Sequence, residues 1–218
     1  MSQMPPDPDP DRGSPAAKPP RLPTPRLAAL RDPAAFDPAQ HAMWESVVSG
    51  PRAATAVRPE GQLSGPFDVL LRSPQIGTAV SDLGALLRFS TSLGPRLTEV
   101  VTLTVASHWH ARLAWSGHAK GARAQGIPES AIERVARGED PAFKSPSDHA
   151  AWSVAHALVT TGHVSDDLYA AAISVLGERT LVEVVALTGY YCLTSFLLNT
   201  FEVPVSHGVT TPWDPPAE

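Results

Sequence analysis

A single cysteine, Cys192, is the whole thiol content of the 218-residue sequence. One cysteine excludes an intrachain disulfide, a two-cysteine redox motif and a cysteine-rich zinc site. Basic residues are also few: 17 Lys and Arg stand against 22 Asp and Glu, which gives a formal net charge of −5, and they form no basic run. Because neutralisation of phosphates drives nucleic-acid affinity, we expect no nucleic acid as a partner.

Long apolar runs are missing as well, since no uninterrupted stretch reaches the roughly 20 residues needed to cross a bilayer. The sequence begins MSQMPPDPDPDRG, without the apolar segment that a secretory signal requires. We therefore expect a cytoplasmic protein that does not bind membranes. No segment alternates apolar and polar residues beside a hairpin turn, so the predicted fold class is all-α.

Helix-start and helix-stop signals recur along the chain. In Asp37-Pro38-Ala39-Gln40 the Asp can cap the helix, the Pro suits the first helical position and the Gln completes a capping box. Further segments with apolar residues at helical spacing also begin with an N-cap residue or a Pro. Most of these segments end at a Gly. The predicted helices begin near Pro38, Pro74, Pro128, Pro146 and Ser165, and a last one runs from about Thr180 to Thr200.

These patterns indicate one domain with flanking segments. Residues 1–26 are rich in Pro, Asp, Ser and Arg, and they have too few apolar side chains to offset the entropy of ordering, so we predict a flexible arm. Contact of this arm with a neighbouring subunit is the alternative. Residues 27–205 form the predicted domain, and residues 206–218 a Pro-rich tail.

An internal repeat lies inside the predicted domain. Residues 97–104, LTEVVTLT, recur 84 positions later as residues 181–188, LVEVVALT, with six of eight positions identical. Chance similarity between two Val-rich helices is one explanation. A duplicated helical motif is the other, and it is favoured because the glutamate and the apolar register repeat together.

The order of several segments resembles the carboxymuconolactone decarboxylase, or AhpD-like, superfamily. The segment GPRLTEVV at residues 94–101 resembles the start of that core, and HWHARLAWSGH at residues 108–118 resembles its next helix. The turn AQGIP follows at residues 124–128, and residues 181–201 resemble the second half. The resemblance covers about residues 35–205, and it implies an all-α AhpD-like helical bundle.

Residue by residue, the resemblance assigns His118 to the family's site histidine and Glu99 to its proton-relay glutamate. These two residues are our candidate catalytic pair. On one straight helix, 19 residues would separate them by roughly 28 Å, so they can meet only if the chain bends between them. The crowding of Ser107, His108, Trp109 and His110, none of them strong helix formers, favours a bend around residues 106–111.

Four further residues are candidates for substrate binding: His110, Ala114, Trp115 and Tyr191. Ala111, Ala114 and Ala122 lie on the helical face of His118, where small side chains either leave space for a substrate or let two helices approach closely. The aromatic residues and Cys192 fit a buried core equally well. Glu183, the repeat's twin of Glu99, is interpreted mainly as a structural residue.

The sequence also departs from the family. The cysteine positions of the peroxidase-type members fall on Ala111 and Ala114, and Ala114 also replaces the glutamate of a Glu-Trp pair. Reduction of peroxide by thiols needs an attacking thiolate and a resolving sulfur, which Cys192 alone cannot supply. We therefore disfavour AhpD-type peroxide reduction.

The resulting hypothesis is a decarboxylase-like enzyme of lyase or isomerase type, without cofactor or metal. It would act on a small organic acid, lactone or cyclic compound through a His/Glu acid–base pair. The alternative from another class is a non-catalytic small-molecule-binding protein of the same fold. The resemblance also implies a homo-oligomer, a trimer or a hexamer.

Overall fold

The structure, a computed structural model, describes residues 24–205 and 209–214. Within these residues the chain forms nine α-helices, one short 3₁₀ helix at Pro33–Ala35 and no strand. A single antiparallel bridge joins Val57 to Leu63. The all-α prediction is confirmed. The helices are α1 (Pro38–Val48), α2 (Ala53–Ala56), α3 (Pro66–Leu70), α4 (Pro74–Phe89), α5 (Gly94–His108), α6 (Arg112–Ala124), α7 (Glu129–Ala136), α8 (Pro146–Thr161) and α9 (Asp166–Thr200).

Most predicted helix boundaries are confirmed, because local hydrogen bonds set them. The Asp37 side chain accepts from the backbone of Gln40, whose side chain returns a bond to the Asp37 N–H, which completes the capping box of α1. Ser145 and Ser165 cap α8 and α9 through their hydroxyl oxygens. The short helices α2 and α3 were not predicted, since four- and five-residue segments carry too little periodicity.

Helix α5 is the centre of the bundle and packs against α6, α7, α8 and α9. Every residue from Thr98 to Ser107 is buried, including one carboxylate, Glu99. An amphipathic surface helix hides one face, whereas a helix buried all round must satisfy its polar side chains internally. Thr98 and Thr104 do so by donating to carbonyls one turn earlier. Glu99 finds its partner on α6.

A sharp bend separates α5 from α6, where the sequence predicted it. The Ala111 N–H donates to the Ala106 carbonyl at 2.9 Å, and the His110 N–H donates to the Ser107 carbonyl at 3.0 Å. These are the two bonds of a Schellman motif, which needs a left-handed residue after the helix. Here that residue is His110, with φ 47°, rather than the usual glycine. The free Trp109 carbonyl accepts from the Asn199 side chain at 2.6 Å.

Helix α9 is broken by Gly177, whose φ of 75° and ψ of 165° are not helical. The predicted stop at this glycine is therefore confirmed as a kink. By length and composition α9 could cross a membrane, with a mean hydropathy of 1.7 over its most apolar window, although charged residues interrupt it. Half of that window is buried inside the protein, as in a core helix.

The chain ends of the described region contact the bundle. Most of the predicted arm, residues 1–23, lies outside the described residues. Arg26 pairs with Glu202 at 2.7 Å and donates to the Thr200 carbonyl, so this part of the chain lies against the end of α9. In the tail, Asp214 pairs with Arg112 at 2.6 Å.

Apolar side chains remain exposed on two helices. Helix α4 exposes Ile76, Leu83, Leu86 and Phe89, and the second half of α9 exposes Val182, Val185, Leu193 and Phe196. Scattered exposed apolar residues are ordinary on soluble proteins, but runs of them along one helix are typical of contact surfaces.

Candidate functional site

The bend brings Glu99 and His118 into direct contact. Glu99 Oε2 lies 2.6 Å from His118 Nδ1, and the two side chains are 8% and 12% exposed. An ionised carboxylate can only accept hydrogen bonds, so the proton of this bond is assigned to Nδ1. The Glu99 carboxylate thereby fixes the ring orientation and selects one tautomer of the imidazole.

Tyr191 contacts the other ring nitrogen of the same histidine. Its hydroxyl lies 3.0 Å from His118 Nε2, and the two rings meet edge to face with centroids 5.1 Å apart. With the proton on Nδ1, Nε2 is the acceptor and the phenol donates. Burial raises the pKa of Tyr191 to about 12, so the hydroxyl stays protonated at neutral pH. The three residues come from α5, α6 and α9.

A glycine shapes the space around this chain of hydrogen bonds. A Cβ atom built on Gly121, in α6, would lie 2.5 Å from Glu99 Oε1 and 2.8 Å from Glu99 Cδ. Real Cβ atoms essentially never approach so closely, so the Glu99 carboxylate occupies space that only glycine leaves free. Gly117, on the same helix, has nothing within 4 Å of such a Cβ.

The alanine stripe beside His118 packs into the core. Ala111 and Ala122 have no exposed surface and Ala114 has 7%, and all three belong to the main hydrophobic cluster. The small side chains therefore serve the close approach of helices, which was one of the two alternatives left open by the sequence.

Two predicted substrate-binding residues lie in a different place. His110 stacks on Trp213 with centroids 4.8 Å apart, and Trp115 meets the same indole edge-on at 5.1 Å. Trp115 also lines a cavity of about 370 Å³ between α6, α7 and residues 209–212. Neither residue has a described contact with Glu99, His118 or Tyr191. Of the predicted site residues, only those three are brought together.

Glu183, the twin of Glu99, has a different role. It accepts from the Ser92 N–H at 2.8 Å and the Ser92 hydroxyl at 2.5 Å, and it pairs with Arg179. Burial opposes its ionisation, but these hydrogen bonds prevail and lower the pKa of Glu183. The repeat thus uses one glutamate to join α9 to the α4–α5 loop and the other to hold a histidine.

The described residues include no group of three or more His, Cys, Asp and Glu placed to hold a metal ion. His108 and His110 are near each other, with His156 alongside: burial lowers the pKa of His108, and repulsion from His156 and His110 lowers it further. The Trp109 indole N–H donates to Cys192 Sγ at 3.3 Å, so the single thiol is occupied by a core contact.

Three residues near the site are not among those predicted from the sequence: Gly121, Arg52 and Arg88. The spacing of Gly117 and Gly121 within one predicted helix was the available signal for the glycine. For the arginines there was none, because they come from α2 and α4, far from His118 in sequence. Both lie near enough to Tyr191 for their positive charge to favour its phenolate.

Compared by sequence, the chain matches no protein-family model and no curated protein significantly. Solved structures do match. A protein of unknown function from Agrobacterium tumefaciens, proposed to be the antioxidant defence protein AhpD, has a TM-score of 0.54 and 19% identity. That match covers 63% of this chain and 97% of the other.

Two further structures are similar over more of the chain. A peroxidase-related protein from Silicibacter sp. TM1040 has a TM-score of 0.63 at 11% identity and covers 88% of this chain and 96% of its own. The debrominase Bmp8 has a TM-score of 0.60 at 12% identity, covering 78% and 87%. It was also solved as a cysteine-to-alanine variant with 2,3,4-tribromopyrrole. At 11–19% identity these likenesses show the fold alone, and the fold of this chain is that of AhpD-like proteins.

Proposed function

We propose that this chain is a cofactor-independent enzyme of the carboxymuconolactone decarboxylase-like type, in which Glu99, His118 and Tyr191 move a proton at a small organic acid, lactone or cyclic compound. The observation that carries the proposal is the pair of hydrogen bonds on one imidazole, 2.6 Å to a carboxylate and 3.0 Å to a phenol. A histidine only 12% exposed and held between an acid and a hydroxyl is a positioned acid–base group.

In this proposal each proton transfer has a defined donor and acceptor. In the base direction, the Tyr191 oxygen takes a proton from the substrate while its own proton passes to His118 Nε2. The ring becomes an imidazolium, and the Glu99 carboxylate at Nδ1 stabilises its charge without accepting the proton. In the acid direction each transfer runs backwards. A phenol with a raised pKa is a weak proton donor by itself. Proton transfer from Tyr191 to the substrate therefore requires that the His118 imidazolium return a proton to the Tyr191 oxygen.

Proton exchange at an activated carbon tests this proposal without knowledge of the natural substrate. A panel of small carboxylic acids and lactones is incubated in D₂O, and deuterium uptake is followed by NMR. We expect uptake with at least one compound, and a loss of about 10²-fold or more in His118→Gln and Glu99→Gln. His149→Gln, which replaces an exposed histidine of α8, is the matched control.

Full turnover in both His118→Gln and Glu99→Gln would overturn the catalytic assignment. So would the absence of exchange with every compound while a small molecule still binds. That second outcome would support the alternative, a non-catalytic small-molecule-binding protein. One observation favours this alternative: both ring nitrogens of His118 already have partners within the protein, so the imidazole itself needs no hydrogen bond from a substrate.

Peroxide reduction of the AhpD type stays disfavoured. Its chemistry needs two sulfurs, and the positions that would carry them are the buried Ala111 and Ala114. A reductase-coupled peroxide assay in which Cys192→Ser abolished turnover would restore it.

We also propose a homo-oligomer, a trimer or a hexamer, free of nucleic acid and membrane partners and located in the cytoplasm. The exposed apolar residues of α4 and α9 support association, because burying them would remove apolar surface from water. Sedimentation velocity measures the size of the assembly directly, and a monomer at micromolar concentration would contradict it.

A further inference from the structure

Two arginines stand apart from the other cationic groups of the described chain. Most described arginines have a carboxylate or carbonyl partner, and Arg31 and Arg58 are exposed to solvent. Arg52 and Arg88 are half-buried, yet neither forms an ion pair or a side-chain hydrogen bond within residues 24–205 and 209–214. The paired arginines are Arg26, Arg72, Arg96, Arg112, Arg123, Arg134, Arg137 and Arg179.

The Arg52 guanidinium is held in place by aromatic rings rather than by an acid. Its Cζ lies 5.6 Å from the centre of the Phe67 ring and 5.9 Å from that of Tyr190. Its Nη2 lies against Gly84, where a Cβ would collide with it and with the Tyr190 hydroxyl. Its Nε is buried without a hydrogen-bond partner. A buried charged donor left unsatisfied is costly, so a fixed guanidinium of this kind indicates a ligand.

Arg52 and Arg88 lie beside the proposed proton relay. The Tyr190 ring, which contacts Arg52, is 5.4 Å from the Tyr191 ring, whose hydroxyl bonds His118. Gly84, which Arg52 Nη2 approaches, lies one turn before Arg88 on α4, so Arg88 is on the same helix face as this contact. The positive charges of both arginines oppose the effect of burial on the pKa of Tyr191. Arg88 reaches this region from the last turn of α4, and Arg52 from the start of α2.

We propose that Arg52 and Arg88 form a carboxylate-binding subsite, so that the substrate of the Glu99–His118–Tyr191 relay is an organic anion. That the anion is a substrate rests on the proposed function. The existence of an anion-binding site does not depend on it. The planar fork of a guanidinium matches the two oxygens of a carboxylate. An anion held there lies near the Tyr190 ring, which packs against Tyr191, and it neutralises two cations that have no ion-pair partner among the described residues. Neutral lactones without an acid group would bind poorly.

Binding of simple anions tests the subsite. Acetate, benzoate and maleate are titrated calorimetrically into the full-length protein at low ionic strength, each beside its neutral amide. We expect at least one carboxylate to bind at least tenfold more tightly than its amide. Arg52→Gln and Arg88→Gln should each weaken that binding tenfold or more. Arg52→Lys, which keeps the charge and loses the fork, should fall between them and the wild type.

The controls separate this inference from the proposed function. Arg137→Gln removes an exposed arginine at the end of α7, where it pairs with Glu139, and should leave binding unchanged. His118→Gln should bind the anion as the wild type does while losing proton exchange. Retained exchange in that variant would refute the relay and leave the subsite intact.

Three results would refute the subsite. They are equal binding of carboxylates and amides, no binding by any of the three carboxylates, or wild-type binding in Arg52→Gln. If Arg52→Gln fails to fold, Arg88→Gln decides alone, and wild-type binding in that variant would refute the subsite. Its circular dichroism and melting temperature verify the fold.

Discussion

Replacement of Gly121 by alanine tests whether the Glu99–His118 contact depends on an absent side chain. The added methyl would sit 2.5 Å from Glu99 Oε1, whereas ordinary contact begins at 3.4 Å, so the carboxylate must retreat by about 0.9 Å (3.4 − 2.5). Glu99 Oε2 is held 2.6 Å from His118 Nδ1. A shift of that size ends the hydrogen bond and leaves a buried carboxylate without its partner.

The matched control is Gly117→Ala on the same helix, four residues earlier, where the methyl meets nothing within 4 Å. Both substitutions gain about 0.5–1 kcal/mol because alanine loses less backbone entropy than glycine in a helix. That gain cancels in the comparison. The two variants should therefore differ by the overpacking cost alone, about 1–3 kcal/mol in the free energy of unfolding, with Gly121→Ala the less stable.

Two assays measure the effect. Urea unfolding gives the stability difference, and NMR of the histidine ring protons reports whether the Nδ1 proton of His118 remains in a strong hydrogen bond. Once a substrate is known, a displacement near 1 Å predicts a loss of about 10² in turnover for Gly121→Ala and none for Gly117→Ala. Equal stabilisation by both alanines, with an unchanged His118 proton signal, would refute this account of the site.

Three other predictions concern the surroundings of the site. The unfolded chain releases the phenol proton of Tyr191 near pH 10 and the folded chain near pH 12, so its contribution to stability is complete below pH 10. The free energy of unfolding, measured by urea, should therefore fall by about 3 kcal/mol between pH 10 and 12. The Tyr191→Phe variant should show no such fall over the same pH range. Glu183→Gln should lower the free energy of unfolding by about 1–2 kcal/mol, because it weakens the hydrogen bonds to Ser92, and it should leave the His118 ring-proton signal unchanged. A changed signal would mean that Glu183 and Glu99 share a site. Leu86→Glu adds a charge to the exposed apolar face of α4 and should reduce the sedimenting species to a smaller one. An unchanged sedimentation coefficient would exclude that face as a subunit contact.

Local features of the sequence determined most of the fold. A capping box, serine caps and stop glycines act over three or four residues, so their hydrogen bonds can be inferred from the sequence alone. The bend between α5 and α6 was placed correctly, because poor helix formers cluster there. Its mechanism was not visible, since a histidine takes the left-handed position that glycine usually fills.

Pairing between distant residues was decided by the tertiary structure. The resemblance named Glu99 and His118, but the bend and the packing of α5 against α6 decided that they touch. Helical periodicity cannot distinguish an alanine stripe that lines a pocket from one that packs in a core, and here it packs. Arg52 and Arg88 carry no local pattern, because their lack of an ion-pair partner within residues 24–205 and 209–214 depends on contacts between distant segments. Sequence alone determines which groups can do chemistry, whereas packing determines which of them meet.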